Sequence, residues 1–261
     1  MAEGRAGLRA LLRLGAAALA ACLATWAGAA PGQAPQAAAA RDDMGPRVLA
    51  CTACHGEQGR ATPEGYFPRI AGKPAGYLYN QLLNFREGRR SYPQMAWLLE
   101  HLTDAYLQEM AEHFAALQLP YAPPPASQAP PAVLERGRRL VREGDAARGL
   151  PACVRCHGDA LTGVSPWLPG LLGLSRDYVA GQLGAWQTGQ RHAQAPDCMA
   201  DIARRLEPQD VGAIAAWLAA QPVPAGGVPA AGLAARLPLR CGGVPEAGSA
   251  TPDGAVPEGG Q

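Results

Sequence analysis

The chain has 261 residues, which is long enough for two small domains and an additional tail. Its formal net charge of +1 excludes the strong positive field that is typical of nucleic-acid-binding proteins, so we expect no nucleic-acid partner. Aromatic residues make up only 6% of the chain, which is low for a protein that must bury a core.

The first predicted element is a signal segment over 1–29. Three arginines precede an apolar run over 14–26 that is too short to span a membrane comfortably. The small residues at 27–29 offer a cleavage site. We therefore expect an exported, periplasmic protein.

The same segment has an alternative interpretation as a lipid anchor. Residues 19–22 read Leu-Ala-Ala-Cys, which resembles the lipobox of bacterial lipoproteins, where the cysteine becomes the acylated N-terminus. Hydrophobic residues continue past Cys22, so we favour ordinary cleavage. Acylation of Cys22 is the alternative, and it would associate the protein with a membrane.

The first predicted domain, 42–120, is helical and carries the motif C-x-x-C-H at 51–55. Apolar residues at helical spacing between 77 and 85 predict a helix that ends before Gly88. The last helix of this domain is predicted to begin at Thr103-Asp104, where the threonine can act as N-cap. No alternating strand pattern of convincing length occurs, so we predict an all-α fold.

A Pro-rich linker over 119–132 leads to a second domain, 133–221, which repeats the first. CTACH at 51–55 recurs as CVRCH at 153–157, and a proline at position 208 predicts the start of the last helix. The other residue pairs that recur at one constant offset are Pro68 and Pro169, Gly72 and Gly173, Tyr77 and Tyr178, Gln81 and Gln182, Leu82 and Leu183, Phe85 and Trp186, Gly88 and Gly189, and Arg90 and Arg191. The chain is therefore predicted to contain two copies of one domain.

The tail, 222–261, is dominated by Pro, Gly and Ala. Few of its residues can form a core, so we expect the tail to be mostly disordered.

The C-x-x-C-H motif is the attachment signature of a c-type haem. Two thiols must reach the two vinyl groups of one porphyrin, and the next residue presents its imidazole to the iron from the same side. A redox dithiol does not need this histidine. A zinc site would use both cysteine pairs in one tetrahedron, whereas here each pair stands at the start of its own repeat. We therefore predict two covalently bound haems c. The thioether residues would be Cys51, Cys54, Cys153 and Cys156, and the proximal iron ligands would be His55 and His157.

The sixth iron ligand must come from elsewhere in each domain. Met95 and Met199 occupy equivalent places in the two copies, after a loop and before the last helix, so we predict His/Met ligation of both irons. Such iron has no open position, which favours electron transfer over catalysis. Candidates without an equivalent of the same kind are His101, Met110, His113, His192 and Cys198.

Two prolines are expected to orient the proximal imidazoles. Pro68 and Pro169 follow their respective histidines at nearly the same distance along the chain. Their backbone carbonyls can accept a hydrogen bond from the Nδ1–H of the histidine and thereby select its tautomer.

The doubled motif, the following Pro-x-x-x-Gly, the Tyr-x-x-x-Gln-Leu helix, the methionine and the closing helix resemble the dihaem cytochrome c4 family over roughly 45–221. The resemblance implies two tandem class I cytochrome c domains, related by pseudo-twofold symmetry, with the haems near their interface. It also implies a periplasmic carrier, often membrane-associated, that feeds terminal oxidases in a respiratory chain.

Two cysteines depart from the repeat. Cys198 and Cys241 have no counterpart in the first domain. In an oxidising compartment, an even pair suggests a disulfide that ties the tail to the second domain near Met199. The alternative is that Cys198 competes for the iron as a thiolate.

The leading functional hypothesis is an electron carrier that is not an enzyme. Its partners would be redox proteins such as a terminal oxidase, a cytochrome bc-type complex or a dehydrogenase. The alternative is a dedicated cytochrome subunit of a dehydrogenase or oxidase complex. A dihaem enzyme, either a peroxidase or a thiosulfate-oxidising cytochrome, is less favoured because it needs an opening haem or a different ligand.

Overall fold

The computed structural model describes residues 43–245. The predicted signal segment 1–29, with Cys22, and the last part of the tail, 246–261, lie outside the described residues. Between residues 43 and 245, none of the helices combines the length and the apolar character needed to cross a lipid bilayer.

The regular elements of the first domain are all helical in its described part. Its elements are α1 (Met44–Arg47), α2 (Leu49–His55), a 3-10 turn (Glu57–Gly59), α3 (Ala75–Arg86), α4 (Pro93–Leu99) and α5 (Asp104–Ala116). The hydroxyl of Thr103 accepts a hydrogen bond from the backbone N–H of Tyr106, which confirms the predicted N-cap. Helix α3 ends before Gly88, whose φ of 75° is readily adopted only by glycine.

The core of the first domain lies between α3 and α5. Leu107, Met110 and Phe114 of α5 are buried against Leu78 and Leu83 of α3. Met110 is therefore a core residue.

The second domain contains five helices among the described residues and one small pair of strands. Its elements are α6 (Pro131–Arg142), a 3-10 turn (Ala146–Arg148), α7 (Val154–His157), β1 (Gly163–Val164), β2 (Leu168–Pro169), α8 (Arg176–Thr188), α9 (Cys198–Arg204) and α10 (Pro208–Ala219). The two strands are antiparallel and pair Gly163 with Pro169. This two-residue pair is too short to be read from an alternating sequence pattern, and the fold is all-α as predicted.

Helices α6 and α10 form the closest helix contact of the second domain. Gly137 of α6 lies directly against the carbonyl of Ala213 in α10, so there is no room for a larger side chain. Asp210 of α10 is fully buried and accepts hydrogen bonds from Arg136 Nε at 2.7 Å and Arg148 Nη1 at 2.6 Å. These contacts lock the last helix onto the N-terminal part of the domain.

The segment 119–130 between the domains contains no helix or strand, and the last two residues of the predicted linker belong to α6. Its beginning is held by Arg69, which donates hydrogen bonds to the carbonyls of Leu119 and Pro120.

The described part of the tail, 222–245, differs from the expected disorder. Ala230 exchanges backbone hydrogen bonds with Gly163 and Ser165, and Cys241 forms a disulfide with Cys198. The segment builds no core of its own, and its order comes from backbone pairing with the second domain and from the covalent link. The amino-acid composition of the tail indicates neither the backbone pairing nor the disulfide.

Candidate functional site

Both C-x-x-C-H motifs lie at the C-terminal ends of short helices. Helix α2 ends at His55 and α7 ends at His157, and each is followed by a glycine with positive φ that turns the chain away. Because residues three apart lie on the same side of a helix, each turn presents its two thiols together. None of the four motif cysteines is disulfide-bonded.

Each motif histidine is buried and held by a proline carbonyl. His55 Nδ1 lies 2.8 Å from the carbonyl oxygen of Pro68, and His157 Nδ1 lies 2.8 Å from that of Pro169. Since a carbonyl only accepts, the imidazoles donate through Nδ1–H and keep the lone pair of Nε2 for a metal. Burial lowers the pKa of both imidazoles, which keeps them neutral.

An apolar cavity in the second domain gathers the residues that the sequence assigns to the second haem. Cys153, Cys156, His157 and Met199 all line it. Burial raises the pKa of Cys153 to about 12, so its thiol is neutral in this apolar setting. The aliphatic side chains of the wall include Leu140, Leu150, Leu168, Leu183, Ile202, Ile214 and Leu218. This arrangement of two thiols, an imidazole, a thioether and aliphatic walls fits a covalently attached haem.

In the first domain, two of the four corresponding residues pack against one core cluster, whereas Cys54 is exposed. Cys51 and Met95 both pack against the buried residues of α3 and α5, and Met95 is carried by α4. The histidines considered as alternative ligands are not gathered there: His101 is exposed, and His113 packs edge-on against Phe114.

Cys198 is joined to Cys241 by a disulfide with a Cα–Cα distance of 5.1 Å. Its sulfur is therefore not available as a thiolate ligand in this structure. His192, the remaining alternative in the second domain, is exposed.

The tail closes one side of the second cavity, a role that the sequence analysis did not predict. Leu239 and residues 241–244 line the cavity beside Met199. The backbone N–H of Gly242 donates to the carbonyl of Pro196 at 2.9 Å, just before the methionine. Asn80 of the first domain donates its amide to the carbonyl of Gly243 at 2.8 Å. The sequence indicated only that Cys198 and Cys241 could form a disulfide. It gave no indication of the contacts made by Gly242 and Asn80.

Repeat-equivalent residues meet where the two domains join. Arg90 and Arg191 face each other in an isolated antiparallel bridge. Arg90 donates to the side chains of Gln182 and Tyr178 of the second domain, at 2.7 and 2.9 Å. Arg191 donates in turn to Gln81 of the first domain at 2.9 Å. This exchange of equivalent partners shows a local pseudo-twofold relation.

The two interface arginines have no acidic partner among residues 43–245. Arg90 lies over the ring of Phe85 at 4.4 Å, and Arg191 lies over that of Trp186 at 3.8 Å. Arg191 is only 5% exposed, and burial together with the nearby Arg90 lowers its pKa. A buried cation beside a half-buried one, with no carboxylate between them, suits a cofactor that brings acidic groups of its own, as the propionates of haem do.

The curated relatives of this chain are electron-transfer cytochromes. The thiosulfate dehydrogenase electron acceptor of Thiomonas intermedia is 36% identical over 178 residues, which cover 68% of this chain and 81% of the relative. The protein of the same description from Stutzerimonas stutzeri is 38% identical, covering 67% and 80%. Cytochrome c4 of Pseudomonas aeruginosa is 32% identical, covering 66% and 84%. No protein-family model matches the chain.

Solved structures lead to the same group of proteins. Reduced cytochrome c4 from Pseudomonas stutzeri aligns with a TM-score of 0.56 at 29% identity, over 67% of this chain and 94% of that one. Thiosulfate dehydrogenase (TsdBA) from Marichromatium purpuratum aligns with a TM-score of 0.57 at 36% identity, over 66% of this chain and 36% of that one. The chain therefore belongs to the cytochrome c4 family, whose members are electron-transfer proteins, and it carries two covalently bound haems.

Proposed function

We propose that this cytochrome is the electron acceptor of a thiosulfate-oxidising dehydrogenase and that both of its irons have His/Met ligation. The ligands would be His55 and Met95 in the first domain and His157 and Met199 in the second. The supporting observation for the ligand set is the second-domain cavity, whose wall contains both motif cysteines, His157 and Met199.

The residues of the chain have separate roles in this proposal. When bound, each haem supplies an iron that takes up and releases one electron. The imidazoles would bind through Nε2, while the carbonyls of Pro68 and Pro169 hold the rings in one orientation. The methionine sulfurs would occupy the sixth positions, so that neither iron is open to oxygen or peroxide. The aliphatic wall of the second-domain cavity would give its haem an apolar surround.

The names of the relatives support the choice of partner. Two relatives with 36% and 38% identity are described as electron acceptors of thiosulfate dehydrogenase. The thiosulfate dehydrogenase from Marichromatium purpuratum contains a region that resembles this chain. The match covers 36% of that protein, so the region belongs to a longer enzyme chain. These observations favour the dehydrogenase over a cytochrome bc-type complex as donor. We propose a terminal oxidase as the onward acceptor.

We further propose that the protein is exported to the periplasm through the segment 1–29. The named relatives give no support to the alternative of a lipid anchor through Cys22, which would be seen as a mass increase at the mature N-terminus.

Spectroscopy of the purified holoprotein tests the ligand set. We expect two Met–iron charge-transfer bands in the oxidised protein, one of which is lost in Met95→His and the other in Met199→His. A high-spin signal in the unmodified protein, or a variant that keeps both bands, would contradict the assignment.

Stopped-flow mixing tests the partner. We expect thiosulfate plus the dehydrogenase to reduce both haems, with no reduction by thiosulfate alone. Direct reduction by thiosulfate would indicate an enzyme. Reduction by a bc-type complex but not by the dehydrogenase would place the protein in a different chain of carriers.

A further inference from the structure

Lys73 is an unusual residue in this chain because of both its identity and its burial. It is the only lysine among the 23 lysine and arginine residues. Its exposure is only 5%, in the loop that precedes α3 of the first domain. Burying an ammonium group has a large desolvation cost, and an apolar residue would avoid that cost. We therefore expect the positive charge of Lys73 to have a role at this position.

The ammonium group of Lys73 reaches across to the second domain. Its Nζ donates to the carbonyl of Gly170 at 3.1 Å. Gly170 directly follows Pro169, whose own carbonyl accepts the Nδ1–H of His157. Lys73 is thus attached to the short loop that orients the proximal imidazole of the second haem site.

The charge of Lys73 is not neutralised by an acidic side chain in the described part of the chain. The charged group that it senses is another cation, Arg69. Burial, helped by Arg69, lowers the pKa of Lys73 to about 8, so the amine remains protonated at neutral pH. The carbonyl that accepts from Lys73 and the carbonyl that accepts from His157 belong to consecutive residues, so the ammonium group lies against the segment that holds the imidazole.

The repeat has no lysine at the corresponding position of the second domain. Lys73 follows Gly72, and the residue that follows the equivalent Gly173 is Leu174. Leu174 packs against the core of the second domain and lines its cavity. The charged neighbour of His55 is instead Arg90 of the shared interface network.

We propose that Lys73 raises the reduction potential of the second haem by placing a buried, uncompensated cation beside its proximal ligand. The inference rests on the proposed ligation by His157. Uptake of one electron from the donor protein converts ferric to ferrous iron and lowers the charge of the site by one, and a nearby cation stabilises that product. A residue of the first domain thereby sets the potential of the haem in the second.

Potentiometric titration of the full-length holoprotein tests this with two matched variants. Lys73→Gln removes the charge but keeps a hydrogen-bond donor for Gly170, whereas Lys73→Met removes both. Met199→His assigns the titration steps, because it changes the potential of the second haem. In both Lys73 variants, we expect the equilibrium constant for reduction of the second haem to fall about tenfold, which is about 59 mV for one electron.

The outcomes separate the inference from the proposal on which it rests. A fall of threefold or more at the second haem, larger than at the first haem and present in both variants, supports the role of the charge. A smaller fall, an equal fall at both haems, or a fall in Lys73→Met alone overturns it. Absence of Met–iron bands in the unmodified protein would instead overturn the ligand assignment.

The unmodified protein provides a second measurement that does not depend on the folding of a variant. Because the chain contains one lysine, carbon-13 labelling of lysine gives a single side-chain signal in NMR spectra. We expect the ε-carbon signal to shift in step with oxidation of the second haem. A shift that follows the first haem, or no shift, would overturn the inference.

Discussion

Removal of the disulfide is the perturbation for which the structure gives the clearest magnitude. The bond joins Cys198 to Cys241, which are separated by 43 positions. In the chain-entropy description, closing a loop of this length stabilises the native state by about 4 kcal/mol. Both cysteines should be changed to alanine together, because a single change leaves a free thiol beside Met199. We therefore expect the free energy of unfolding of the second domain to fall by up to about 4 kcal/mol.

The same variant should also alter the reactivity of the second haem. The tail lines the cavity beside Met199, and Gly242 donates to the carbonyl of Pro196 just before it. Without the covalent link, this wall is held only by a few hydrogen bonds, each contributing about 1 kcal/mol. We expect carbon monoxide to bind the ferrous second haem faster than in the unmodified protein, with the first haem unchanged as internal control.

The loss of stability is measured by guanidinium denaturation, followed by the Met–iron band and by far-ultraviolet circular dichroism. The rate of carbon monoxide binding is measured by flash photolysis of the carbon monoxide complex. Truncation after Pro245, which keeps the disulfide, is the matched control against which both changes are measured. If the alanine variant unfolds at the same denaturant concentration and binds carbon monoxide at an unchanged rate, the tail does not hold the methionine in place.

Three further predictions concern the contact between α6 and α10. Asp210→Asn removes the buried carboxylate that Arg136 and Arg148 share and leaves them only their partly exposed partners Glu207 and Asp145, so it should reduce the stability of the second domain by about 2 kcal/mol in urea denaturation at neutral pH. Burial opposes ionisation of Asp210, but hydrogen bonds from Arg148, the Glu207 N–H and Arg136 lower its pKa overall. The stability that Asp210 contributes is therefore complete above its unfolded-state pKa of about 3.9, and it is lost as the pH falls through its lower pKa in the folded state. The Asp210→Asn variant should consequently lose less stability in acid than the unmodified protein. Gly137→Ala would push a methyl group into the carbonyl of Ala213 and should cost about 1–3 kcal/mol, measured by thermal denaturation.

Features that depend on local chemistry could be predicted from the sequence. Thr103 caps α5 and Pro208 begins α10, because both positions are decided by the backbone groups of the first helical turn. The hydrogen bonds from the motif histidines to Pro68 and Pro169 belong to the same kind of expectation, since a short loop limits which carbonyl can reach the ring.

Features that depend on how the two domains meet could not be predicted in the same way. The repeat identifies Arg90 and Arg191 as equivalent residues. Their equivalence in the sequence does not indicate that they lie in contact, as they do in the structure. Nothing in the sequence around Lys73 indicates that it is buried and that its ammonium group donates to Gly170 of the second domain. The composition of the tail indicated disorder, whereas its order depends on partners elsewhere in the fold.

The duplication explains why the departures from symmetry matter for electron transfer. A doubled sequence offers both haems the same kinds of candidate ligand, and the interface arginines exchange equivalent contacts between the two domains. Two identical sites would have no preferred direction of electron flow. Lys73 contacts Gly170 of the second domain, the Cys198–Cys241 link lies beside Met199, and none of these residues has a counterpart of the same kind in the repeat. A cation that stabilises the ferrous state and a wall that restrains Met199 therefore differentiate two sites that the repeat alone would leave equivalent.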